Sequence, residues 1–197
     1  MATAWVPTLR LAKRIAIADR INLANFIFSS TDKFAIFLLS GLLIWNFLSS
    51  SLTSATGSII ANSSIVQKIW FPREILPLAS VGAALTHFFL QLTVLTAALL
   101  VFQHEPNWAA LPLLPLALVA VVTLSMALSI SLSALNVYYR DIQHFLEIFL
   151  LAWFWFTPIV YNANLVSDRL GNASWITTLN PAHSIVLAFQ KALHNYI

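Results

Sequence analysis

The stretch FAIFLLSGLLIWNFLSSSLTSATGSIIANSSIVQ occupies residues 34–67 and contains no charged side chain between Lys33 and Lys68. A helix crosses the hydrocarbon core of a bilayer with about 20 consecutive, mainly apolar residues. The stretch is longer than that, and its first half is almost wholly apolar, whereas hydroxyl groups collect in its second half. It therefore predicts a membrane-spanning helix, which we place at 34–57.

Three further charge-poor stretches follow, separated by Glu105 and by the pair Arg140–Asp141, and only the last of them contains a charge, Glu147. Each exceeds the length that a spanning helix needs. Because backbone groups in lipid must be paired within their own segment, the sequence predicts an all-α fold, a polytopic transmembrane helix bundle with about four recognisable spans. The three further spans are predicted at 76–102, 110–135 and 143–161.

The composition limits the kind of protein that this chain can be. Its 197 residues are 59% hydrophobic and only 9% charged, whereas soluble proteins carry about 25% charged residues. This composition argues against a soluble globular enzyme. The net charge of +3 is too small for a nucleic-acid-binding protein, so no nucleic-acid partner is expected.

The sequence predicts no catalytic, cofactor or metal site. Its four glycines cannot form the phosphate-binding loop or the dinucleotide-binding turn, so neither common route to nucleotide binding is open. The chain has no cysteine, and its five histidines lack the spacing of metal ligands. Because no group of titratable residues clusters on one side of the predicted bundle, an enzyme embedded in the membrane is not expected.

The distribution of Lys and Arg predicts which joints between the spans are cytoplasmic. The joint at 62–74 holds two such residues and the joint at 136–141 holds one, whereas 103–109 holds none. We therefore expect 62–74 and 136–141 to be cytoplasmic, and 103–109 and the polar segment 162–180 to lie outside. The basic, amphipathic segment 1–33 is typical of a helix on an anionic membrane surface, but the same alternation places it outside, and its topology stays open.

The joint at 62–74 carries the strongest signal for a binding site. Charged and aromatic side chains are concentrated there, and Arg and aromatic residues are typical anchors of protein interfaces. The alternative is an anchor for the membrane surface and nothing more. The candidate docking residues are Gln67, Lys68, Trp70, Phe71, Pro72, Arg73 and Glu74.

Polar and aromatic residues within the spans are open to two interpretations. Ser50 and Thr53 either line a polar passage or bond to neighbouring helices. The aromatic run that contains Trp153 and Trp155 either stacks on sugar rings or anchors the helix at the interface. We expect the column of Ser125, Ser129 and Ser133 to allow two helices to pack closely. We expect His87 and Gln91 to form a satisfied structural pair, with their hydrogen-bonding groups paired, rather than a proton relay.

Several motifs together resemble those of a known family, the permease subunit of type-2 ABC exporters for polysaccharides, which includes the O-antigen, capsule and teichoic-acid exporters. The similarity runs in family order from about residue 31 to 190. The Phe-Pro-Arg-Glu string and the Asn-x-x-x-Arg-Asp turn are quite specific when found together. The motifs are Leu39–Asn46, Val66–Pro77, Ala134–Ile142, Thr157–Tyr161 and Leu179–Pro181.

The resemblance implies a set of partners and roles. A separate ABC ATPase, two copies of the permease and a lipid-linked glycan would act together in the bacterial inner membrane. The segment Gln67–Glu74 would be the coupling element docked on the ATPase, with Arg140 and Asp141 as a second cytoplasmic turn. Residues 162–190 would form short helices at the outer side before a last span. The glycan path would include Ser50, Thr53, Trp153, Trp155 and Tyr161.

Other assignments compete with this one. Family members have six spans, so we expect a chain that is truncated at both ends, with the start of a missing last span before residue 197. A second assignment, from the same superfamily, is an ABC-2 permease for a drug or a small lipid. A secondary transporter or channel would need charges near the midplane, where only Glu147 comes close.

Overall fold

The computed structural model describes residues 35–68, 70–101, 110–157, 159 and 180–193. The chain divides into two compact units, Met1–Ile36 and Phe37–Ile197. The first unit is described only at its last two residues, so the predicted basic segment at 1–33 lies outside the described part. The predicted joint at 103–109 also lies outside it, as does nearly all of 162–180.

All regular secondary structure in the described ranges is helical. Three helices, α1, α3 and α4, are long and apolar enough to cross a membrane. These features confirm the predicted all-α, polytopic membrane bundle. The helices are α1 Ala35–Ala61, α2 Ser63–Val66, α3 Ile75–Val101, α4 Leu113–Tyr138, α5 Ile142–Phe156 and α6 Pro181–Leu193.

Helix α5 is shorter than the span that the sequence predicted at 143–161. Its 15 residues extend about 22 Å at 1.5 Å per residue, less than the thickness of about 30 Å of the hydrocarbon core. The helix ends because Thr157 adopts an extended conformation, with φ −101° and ψ 130°. Pro158 follows in the sequence, and a proline disfavours the helical conformation of the residue before it.

Helix α4 packs against α3, α5 and α6. The column of Ser125, Ser129 and Ser133 on α4 is buried, as expected for small residues that let helices approach closely. Helix α1 contributes the largest set of buried apolar side chains, among them Phe47, which meets Phe88 of α3 edge-on at 5.4 Å between ring centroids. These contacts join the described helices into a bundle.

Candidate functional site

The connection between α2 and α3 is the predicted coupling segment, and most of its described residues are exposed. Its charged residues Lys68, Arg73 and Glu74 are all exposed, and Trp70 is 98% exposed. Gln67 and Pro72 are also exposed, and Phe71 is half-buried. A fully exposed tryptophan in a connecting segment indicates a surface that is available to a partner.

The segment is joined to α3 by two backbone hydrogen bonds. The backbone N–H of Ile75 donates to the carbonyl of Pro72 at 3.2 Å, and the N–H of Leu76 donates to the carbonyl of Arg73 at 3.3 Å. Pro72 and Arg73 therefore satisfy N–H groups in the first turn of α3, which lack partners within the helix. The end of the segment and the first turn of α3 are therefore hydrogen-bonded to each other.

A recess of about 230 Å³ lies where this segment meets the last turns of α4. Arg73 and Glu74 line it on one side, and Ser133 and Tyr138 line it on the other. The structure thereby brings the end of the coupling segment beside the helix that leads into the Arg140–Asp141 turn. The two joints predicted to be cytoplasmic lie at the same end of the bundle.

Arg140 and Asp141 are exposed. Tyr139 is extended, with φ −124° and ψ 94°, and so ends α4, while Asp141 takes the N-cap position of α5 without a side-chain cap bond. The Asp141 carboxylate and the Arg140 guanidinium have no ion-pair or hydrogen-bond partner among the described residues. Both charged groups are therefore available to a partner protein.

Sequence reasoning treated Asn136 only as part of this turn motif, but it has a structural role of its own. It is 1% exposed, and its Nδ2 donates to the backbone carbonyl of Thr56 at 2.9 Å. The hydroxyl of Thr56 itself donates to the carbonyl of Leu52 at 2.7 Å. Asn136 thus fastens the last turns of α4 to α1, next to the recess.

The residues predicted to line a glycan path lie in different environments. Ser50 is exposed on α1, whereas Thr53 is half-buried and donates to the carbonyl of Ser49 at 2.9 Å. Trp155 is exposed on α5. Tyr161 lies outside the described residues. Of the predicted path residues that the structure describes, Ser50 and Trp155 therefore lie on the surface of the bundle.

Trp153 is held in a hydrogen-bond network. Its indole Nε1 donates to Oδ1 of Asn180 at 2.8 Å, and its ring packs edge-on against Trp45 of α1, with the centroids 6.0 Å apart. Asn180 also donates from Nδ2 to the hydroxyl of Thr157 at 3.2 Å and accepts from the backbone N–H of Ala182 at 3.1 Å. The network joins the Thr157–Tyr161 motif to the Leu179–Pro181 motif, and no local sequence pattern points to it.

The prediction for His87 and Gln91 was wrong. Both side chains are exposed on α3, and neither forms a hydrogen bond with any of the described residues. The i, i+4 spacing correctly predicts that they share one face. The two residues are therefore not a satisfied internal pair, and Gln91 lines a groove beside Asn46 of α1.

Comparison with known proteins agrees with the motifs. The sequence pattern of the ABC-2 type transporter family matches residues 14–194. A Klebsiella pneumoniae protein named "O-antigen export system permease protein RfbA" is 32% identical over 162 residues, which cover 82% of this chain and 61% of the relative. A second Klebsiella pneumoniae sequence with this name shows the same identity and coverage.

A relative from another organism matches over a longer stretch. The protein of the same name from Myxococcus xanthus is 28% identical over 193 residues, which cover 96% of this chain and 70% of the relative. The chain spans 61% of the length of the two Klebsiella pneumoniae relatives. The similarity includes both the coupling segment and the Arg140–Asp141 turn, since the family pattern extends across both.

Proposed function

The chain belongs to the ABC-2 type transporter family, and from this membership we propose that it is the permease subunit of an ATP-driven exporter. The proposed substrate is a lipid-linked polysaccharide of the O-antigen or capsule type, which crosses the bacterial inner membrane. The printed name of the relatives supports this substrate class. The permease is a multi-pass membrane component, and ATP hydrolysis belongs to a separate ABC ATPase subunit.

One observation carries the proposed coupling to that ATPase. Arg73 and Glu74 line the same recess as the end of α4, directly before the Arg140–Asp141 turn. An ATPase docked on this end would contact both motifs together. Because the carbonyls of Pro72 and Arg73 are bonded into the first turn of α3, closure of the ATPase on ATP would tilt α3 and, across the recess, α4.

The rest of the proposal concerns assembly and the path of the substrate. Two copies of the permease work with two ATPase subunits, as the family resemblance implies. The glycan passes the hydroxyl-bearing face of α1, where Ser50 is exposed, and the aromatic end of α5 near Trp155. The faces of tryptophan rings can pack against the apolar faces of sugars. Exposed hydroxyl groups of the protein can replace the water that is hydrogen-bonded to the hydroxyl groups of the glycan.

The docking role is tested with the double variant Arg73→Glu/Glu74→Arg, which exchanges the two charges and leaves the net charge unchanged. We expect the co-expressed ATPase to co-purify in at least tenfold lower amount, because like charges brought together at an interface cost several kcal/mol. Lys191→Glu on α6 is the control for a charge change away from the docking segment. Lys191 is exposed, and its neighbour Gln190 lies beside Gly41, 20 residues from Ala61 at the other end of α1. Wild-type recovery of ATPase with the exchanged pair would show that the segment does not dock it.

The substrate class is tested in cells that lack the gene. Loss of the permease should leave lipid-linked glycan on the cytoplasmic side and remove the polysaccharide from the cell surface. Normal surface polysaccharide, together with increased sensitivity to a drug, would instead identify a permease for small molecules. If the transport that is lost without the gene does not require ATP, the chain is instead a secondary transporter or channel.

A further inference from the structure

The recess between the coupling segment and α4 is charged at one end and apolar at the other. Arg73 and Glu74 line it directly before α3 begins, and Tyr138, the last residue of α4, lines it at the same end. Ala134 and Ile130 line it one turn and two turns earlier on α4. The lining therefore changes from charged to apolar along α4, which is the pattern that an amphiphilic molecule would match.

The recess reaches from the headgroup level into the hydrocarbon. Helix α4 has 26 residues, or about 39 Å at 1.5 Å per residue, and it exceeds a hydrocarbon core of about 30 Å. Its last residues therefore lie at the headgroup level, whereas Ile130 lies about 12 Å deeper along the helix. A water-soluble partner docked at Tyr138 would not reach this depth, so the apolar end of the recess is open to a molecule that resides in the membrane.

The size of the recess excludes a helix. A helix with its side chains is at least 10 Å wide, so a length of 12 Å occupies roughly 900 Å³, whereas the recess has a volume of about 230 Å³. Neither a second copy nor another segment of this chain can therefore enter it as a helix. A single inserted side chain carries at most one charge, so it would leave either Arg73 or Glu74 without an opposite charge. A lipid combines a thin hydrocarbon chain with a headgroup that can carry both charges.

The charged end carries one cation and one anion side by side. The side chains of Arg73 and Glu74 are exposed, and neither has an ion-pair or hydrogen-bond partner among the described residues. A guanidinium binds phosphate through paired N–H donors, and a carboxylate accepts hydrogen bonds from an ammonium group. A headgroup with a phosphate and a primary amine pairs with both side chains. A headgroup with a phosphate alone would be repelled by Glu74.

We propose that this recess binds a phospholipid with a phosphoethanolamine headgroup, with its phosphate on Arg73 and its ammonium group on Glu74. One acyl chain then lies along α4, past Ala134 to Ile130. Trp70, which is 98% exposed and does not line the recess, stays available to the ATPase. The inference goes beyond the proposed function and does not depend on it, because the lipid binds to this chain alone.

Lipid titration of the purified full chain in detergent, followed by native mass spectrometry, tests the headgroup. We expect phosphatidylethanolamine to bind about fivefold more tightly than phosphatidylglycerol, the upper range for a partly exposed ion pair. Glu74→Gln should remove this preference, and Arg73→Gln should weaken the binding of both lipids. Equal affinities of the unmodified chain for the two lipids would mean unspecific lipid contact and would overturn the proposal. Tighter binding of phosphatidylglycerol, or of a polyprenyl phosphate, would also overturn it.

A second variant tests the position of the acyl chain. Ala134 is exposed, so Ala134→Phe should fold normally and fill the recess. We expect it to weaken phosphatidylethanolamine binding about tenfold, because about two methylene groups lose their buried contact. Ala97→Phe is the matched control, since Ala97 is an exposed alanine of α3 that does not line the recess.

The outcomes of this second test decide the location. Unchanged binding with Ala134→Phe would show that the lipid binds elsewhere, and an equal loss with Ala97→Phe would show that the effect is not specific to the recess. The thermal unfolding midpoint confirms that each variant is folded. If Ala134→Phe does not fold, the exposed substitution Glu74→Gln decides the question. No ATPase is present in either titration, so failure of the lipid site and failure of the docking role are seen in separate experiments.

Discussion

The indole of Trp153 and the side chain of Asn180 are joined by a hydrogen bond of 2.8 Å across 27 positions of sequence. The same oxygen of Asn180 accepts from the N–H of Ala182 in the first turn of α6, which is the N-cap arrangement. One amide therefore both starts α6 and fixes the orientation of a tryptophan on α5. The end of α5 and the start of α6 form one structural unit.

Removal of this amide should destabilise the protein measurably. Asn180→Ala loses the cap and the bonds to Trp153 and Thr157, so we expect a cost of about 2–4 kcal/mol. Asn180→Asp keeps both acceptor bonds and loses only the donor to Thr157, so its cost should be about 1 kcal/mol. The midpoint of thermal unfolding in detergent gives the order of the two variants.

The control for this prediction is Trp153→Phe, which removes the indole N–H and keeps an aromatic ring. Combined with Asn180→Ala, it should add less than its separate effect, because the bond that it removes is already absent. Strictly additive effects of the two substitutions would mean that Trp153 and Asn180 do not interact in the folded protein.

Substitution by alanine should destabilise the protein at Gly41 and stabilise it at Gly82. A Cβ on Gly41 would lie 2.8 Å from Nε2 of Gln190 and 3.1 Å from Cγ2 of Ile159, whereas a Cβ on Gly82 would meet nothing within 4 Å. Gly41→Ala should therefore cost about 1–3 kcal/mol through overpacking. Gly82→Ala should gain about 0.5–1 kcal/mol, since alanine is the better helix former. Thermal unfolding of both variants measures the difference, and equal destabilisation would contradict the close approach of α1 and α6.

The main helices could be predicted from the sequence because the bilayer requires them to be both long and uncharged. The gaps between charges locate α1, α3 and α4 to within a few residues at most ends. The end of α5 is harder to locate from the sequence, because the apolar run continues to residue 161, past Pro158. In the structure the helix ends at Phe156 and Thr157 is extended, as expected for a residue that precedes a proline.

The orientation of helix faces and the long-range contacts could not be predicted. In a membrane both the interior and the lipid-facing side of a helix are apolar, so periodicity does not tell which way His87 and Gln91 point. The bond between Trp153 and Asn180 depends on the path of the chain between two motifs. The local sequence pattern of neither motif indicates this hydrogen bond.

Asn136 is expected to matter more for stability than the charges that follow it. Asn136→Ala removes the bond to the carbonyl of Thr56 and should cost about 1–3 kcal/mol, because that buried carbonyl loses a partner. Asn136→Asp also places a carboxylate at a site that is 1% exposed and should be worse. Arg140→Gln, at an exposed position, should change stability by less than about 0.5 kcal/mol. Thermal unfolding of the three variants tests this order, and a large effect of Arg140→Gln would contradict it.

Substitution of Trp70 should weaken binding to the ATPase without changing the stability of the protein. The side chain is 98% exposed, so Trp70→Ala should change the free energy of unfolding by less than about 0.5 kcal/mol. If Trp70 is a central anchor for the ATPase, its loss should weaken association about tenfold or more, as is typical of tryptophan at interface centres. Phe156→Ala is the control, because Phe156 is an exposed aromatic residue, 68% exposed, at the opposite end of α5 from the Arg140–Asp141 turn. Titration of the purified permease with the ATPase measures both affinities, and an equal loss for the two variants would show that Trp70 has no special place in the docking surface.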